Sequence, residues 1–107
     1  MHEGHGNSMN VSQNFSDWVH HTLECDYIDL WMPLYGPNQQ HGYPPHHWFF
    51  HQWQAQGDKT IRYFVEPTAL AVNWALSLGY EEVYVSGLSG GGWATTLYGI
   101  YQADLYT

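Results

Sequence analysis

Positive charge is almost missing from this chain. Lys59 and Arg62 stand alone against ten acidic residues, a formal charge of −8 over 107 residues. Binding to a phosphate backbone needs clustered Lys and Arg, so no nucleic-acid partner is expected. An anionic membrane surface is disfavoured for the same reason. The eight histidines offset the charge only below about pH 6.5. Cys25 is the single cysteine, which rules out an intrachain disulfide and leaves the compartment open. No apolar run approaches the roughly 20 residues of a membrane span. Met1-His2-Glu3-Gly4-His5-Gly6 has neither the basic start nor the apolar stretch of a signal peptide.

Apolar and aromatic residues are abundant instead. The chain is 44% hydrophobic and 18% aromatic, with six Trp and nine Tyr. That composition builds a core rather than a disordered chain, and the length suits one domain or part of one. Phe15, Trp18, Val19 and Leu23 recur at helical spacing and predict an amphipathic helix over about 12–22. Tyr27 to Met32 reads as a strand closed by Pro33 and Gly36-Pro37. Residues 33–58 read as one long polar and aromatic connection, and a connection of that length is often a lid or cleft segment. Pro67 fits the first turn of a helix running to about Leu78, with Leu70, Ala71, Trp74, Ala75 and Leu78 on its buried face and Gly79 as its stop. A strand over 82–86 and a helix over about 90–103 complete the pattern. Helix, strand, helix, strand, helix predicts an α/β fold with a parallel, helix-covered sheet.

Between the last strand and helix lies Gly87-Leu88-Ser89-Gly90-Gly91. A serine at the tip of a tight strand-to-helix turn sits in strained backbone, so the residues two positions either side must be small. Gly87 and Gly91 meet that demand. The helix after Ser89 points its first N–H groups at any oxyanion formed there.

Three segments resemble α/β-hydrolases of the esterase and peptidase type. Val83 to Trp93 resembles their nucleophile-elbow region, Ile28 to Gly36 their fourth strand and the Pro/Gly loop after it, and His2-Glu3-Gly4-His5-Gly6 the loop after the third strand that helps build the oxyanion hole. They follow the family's order and together span nearly the whole chain. The resemblance implies that residues 1–107 are a central fragment of a three-layer α/β-hydrolase parallel sheet. Ser89 would be the nucleophile against a carboxylic ester, or an amide or peptide bond, of a small-molecule or peptide substrate, through an acyl-enzyme. The Gly90 N–H would be one oxyanion donor and that of His5 the second. Asn7 is the alternative, because Glu3 departs from the family's usual histidine or glycine. No cofactor and no metal are implied. In the family the catalytic acid and histidine follow the serine, whereas here Asp104 but no histidine does. A fragment that is inert on its own is therefore expected. The family also places its third strand between the fourth and fifth, so the isolated chain is expected to expose strand edges and associate.

Other readings attach to the same residues. A non-catalytic α/β-hydrolase relative would keep the fold as a binding scaffold. His41, His46, His47 and His51 invite a metal reading, but their spacing matches no recognised site, and a solvated loop near an active-site mouth is the expectation. Trp48, Phe49, Phe50 and Trp53 suit either a substrate cleft or ordinary core. Trp74 is expected in the core, Trp93 between the last helix and the sheet, and Glu81-Glu82 in a solvated turn.

Overall fold

Four α-helices hold more than half of the described residues. The computed structural model describes residues 9–43 and 47–106, with side-chain surroundings for 13–43 and 47–102. Within them α1 spans Met9–Leu23, α2 Trp48–Ala55, α3 Arg62–Ser77 and α4 Gly90–Tyr106, with a single 3₁₀ turn at Gly36–Asn38.

The α/β parallel sheet is overturned: among the described residues there is no β-strand. The stretches expected as strands, 27–32 and 82–86, are extended, but the only bridge residues are Leu30 and Gly87. A parallel strand needs both faces covered and a neighbour along its length. Tyr84 is 83% exposed and Val85 is exposed too, so the second stretch lacks that cover. In the first, Met32 leaves the extended run and, with Leu34, enters a core shared by helices.

That core contains Met32, Leu34, Phe50, Phe64 and Ala94, with Tyr35 and Trp53 packed on its edge. The 33–58 connection is therefore not one loop. Its aromatic run Trp48-Phe49-Phe50 opens α2, which delivers Phe50 to the core while Trp48 stays exposed. The helix ends as sequence chemistry allows: Gly57 has φ 95°, its N–H reaches Gln54 C=O, and the N–H of Asp58 reaches Trp53 C=O. Gly79 closes α3 in the same way at φ 94°, as its position predicted.

α3 starts five residues before Pro67, which therefore lies inside the helix rather than in its first turn. The earlier start brings Phe64 into the core and sets Arg62 against Glu66 at 2.6 Å, one turn apart. Its buried face also departs from expectation. Phe64, Thr68 and Ala75 are buried, whereas Leu70, Trp74 and Leu78 stand in solvent, Trp74 at 57%. The apolar stripe predicted to meet a sheet meets none among the described residues. α3 packs on α4, whose Gly91, Ala94 and Tyr98 recur at helical spacing and are buried.

Candidate functional site: the turn at Ser89

The turn before α4 is built by backbone contacts. Gly91 N–H donates to Leu88 C=O at 2.8 Å, and Trp93 N–H donates to Ser89 C=O at 3.3 Å. Ser89 is thus both the second residue of a tight turn and the residue at the N-cap position of α4. Its φ is 53°, in the left-handed region that disfavours side chains.

Gly87 explains how the turn closes. A Cβ placed on it would stand 2.2 Å from Gly91 O and 2.6 Å from Gly92 N, inside the opposing main chain. The residue two before the serine thus lies directly on the residue two after it, and only hydrogen fits between them. α4 then begins Gly90-Gly91-Gly92, three residues that each cost a helix up to about 1 kcal/mol relative to Ala. Helix stability does not favour such a start, but a Cβ on Gly92 would stand only 3.2 Å from Gly87 O.

A serine just before a helix ordinarily caps it, its hydroxyl accepting from an N–H one turn in. That geometry needs extended φ and ψ, which Ser89 does not have. Its side chain is exposed and makes no hydrogen bond to a described residue. The capping explanation of this serine therefore fails. No acidic side chain stands in the first turn of α4, so the partial positive charge of its N-terminus, about half an elementary charge, is not met by a carboxylate of that turn.

The other expected site residues fare differently. His5 and Asn7, the two choices for the second oxyanion donor, lie outside the described residues, as does His46. Gly90 lies at the first position of α4, directly after Ser89. Trp93 packs not on a sheet but on α3, its ring edge-on to Phe64 at 5.3 Å and half exposed. His41 and His51 are exposed.

His47 departs from the solvated-loop expectation. It is half-buried just before α2, 5.3 Å from the Phe50 ring and 4.9 Å from that of Phe64, with Nε2 3.0 Å from Pro33 C=O. Through Phe64 and Trp93 it joins the aromatic layer that reaches α4. The i, i+3 pair His47 and Phe50 ahead of Trp53 was the readable signal, hidden because no apolar period precedes it.

Among the described residues no three of His, Cys, Asp and Glu come together as metal ligands would, and no helix is long and apolar enough to cross a membrane. Compared with protein-family models, curated proteins and solved structures, the chain matches none.

Proposed function

We propose that Ser89 is the nucleophile of a serine hydrolase that cleaves a carboxylic ester, or an amide or peptide bond, of a small-molecule or peptide substrate, and that the relationship to α/β-hydrolases rests on this elbow rather than on a sheet. One observation carries the reading: a non-glycine residue is held at φ 53° at a helix start, with its hydroxyl exposed and not used as a cap. Strained backbone of this kind costs about 1–3 kcal/mol and collects at functional sites. The close fit of Gly87 on Gly91 supports it, because it is what presenting that hydroxyl requires.

In this reading Ser89 Oγ attacks the carbonyl carbon while a base takes its proton. The oxyanion lies against the Gly90 N–H at the N-terminus of α4, where removing such a donor costs about 2.7–4 kcal/mol. The alcohol or amine leaves with a proton, and water then releases the acid from Ser89. All eight histidines precede Ser89 in sequence, and none of those described hydrogen-bonds its hydroxyl. The base is therefore supplied from outside in the test.

The protein is incubated with p-nitrophenyl acetate, with and without added imidazole, and acetylated residues are mapped by mass spectrometry. Imidazole-dependent acetylation concentrated at Ser89, and absent in Ser89→Ala, is expected. Equal labelling of Ser77, Ser86 and Ser89 rejects the assignment.

A further inference from the structure

Along α3 runs a groove of about 960 Å³, walled by α1, by residues 24–30 and by residues 80–86, and reaching the buried face of α3 at Thr68 and Ala75. It does not include Ser89. Its lining has an unusual pattern: Glu82, Val83, Tyr84, Val85 and Ser86 all border it in succession. Side chains of an extended segment alternate between two faces, so a groove touched by five consecutive residues runs along the edge of their main chain. Residues 82–85 make no main-chain hydrogen bond to a described residue. An edge of this kind is a template for another strand.

Two further observations define the occupant. The floor is apolar, with Ile28, Val72, Ala75, Leu78 and Val83, but it also holds Thr68, 1% exposed, whose Oγ1 is buried without a partner. A buried hydroxyl left so costs about 1–3 kcal/mol. The rim is acidic. Asp17, Glu24, Asp26 and Glu82 border the groove, and no Lys or Arg does. Tyr80 donates to Asp26, and Tyr84 donates to Glu82 at 2.9 Å, which orients these carboxylates without neutralising them.

We propose that this groove binds an extended peptide segment, apolar at alternate residues and flanked by Lys or Arg, which adds as a strand along the main chain of residues 82–86. Main-chain pairing supplies the register, alternate side chains fill the apolar floor, and the flanking cations meet the acidic rim. A length of about six residues, ordinary for a strand, matches the walls.

The probe is the blocked heptapeptide KVTVTVK, added to the whole chain while amide hydrogen exchange is followed. Exchange across residues 82–86 is expected to slow by about tenfold or more at saturation. KVTPTVK, whose central proline removes a donor, and EVTVTVE, whose ends repel the rim, are expected to give little slowing. Three results overturn the proposal. One is unchanged exchange with KVTVTVK. Another is equal slowing by the proline or Glu-flanked peptide, which marks apolar contact without strand pairing or charge selection. The third is slowing that rises with protein concentration in the absence of peptide, which makes a second copy of the chain the occupant.

Discussion

Two regions beside α3 are built on opposite terms. Towards α4 and α2, main chain touches main chain at Gly87 and Gly91, Ala94 is 0% exposed, and Phe50, Phe64 and Trp93 form a continuous aromatic layer. Towards α1, Trp74 and Leu78 stand in solvent beside an open groove. Both carry apolar residues in sequence. What separates them is whether another element completes the packing. The candidate nucleophile lies on the completed side, where geometry is held tightly, and the edge open to a partner lies on the other.

The sharpest way to break this contrast is Phe64→Ala. Phe64 meets His47, Phe50 and Trp93 at ring distances of 4.9–5.3 Å, and its truncation is expected to cost about 3–5 kcal/mol in urea unfolding. A loss below about 1 kcal/mol would mean that the packed side is no better formed than the open one. Next comes Gly87→Ala, whose Cβ meets Gly91 main chain. A cost of about 1–3 kcal/mol is expected, with loss of any acetylation at Ser89.

Ser89→Gly runs the other way. Glycine adopts φ 53° without penalty, so a gain of about 1 kcal/mol is expected. Ser89→Ala keeps the strain and leaves stability nearly unchanged. A gain from glycine together with loss of acetylation would show that the serine is held there at a cost to folding. On the open side, Trp74→Ser is expected to change stability by less than about 0.5 kcal/mol, since its side chain already meets water.

The smallest effect is one of pH. Hydrogen bonds to Asp26 and Glu82 raise the phenols of Tyr80 and Tyr84 above their ordinary 10.0. A group whose folded value is raised contributes fully below the unfolded value, and the contribution fades as pH rises through the folded one. Stability is therefore expected to decline slightly above pH 10, and less so in Tyr80→Phe. Both phenols are solvent-exposed, so added salt screens much of the effect.

Local chemistry was legible in the residues. Gly79 as the stop of α3, the extent of α4 from Gly90, and a tight turn that places Ser89 between small neighbours all follow from backbone sterics within a few positions. α2 was missed because the period of Phe49, Phe50 and Trp53 before its stop at Gly57 is short and set among His and Gln, and the early start of α3 because Pro67 resembled a first-turn residue.

Tertiary structure alone decided the rest. Extended segments at 27–32 and 82–86 are encoded by β-favouring residues, yet whether they form a sheet depends on a neighbour that can pair with them, and among the described residues only Leu30 and Gly87 are bridge residues. Likewise Trp74 and Phe64 are both aromatic residues on α3, and nothing in their local pattern says which will be buried. Burial is a property of the surface that arrives opposite. A turn is closed by its own atoms, whereas a strand or an apolar helix face is completed only by another element.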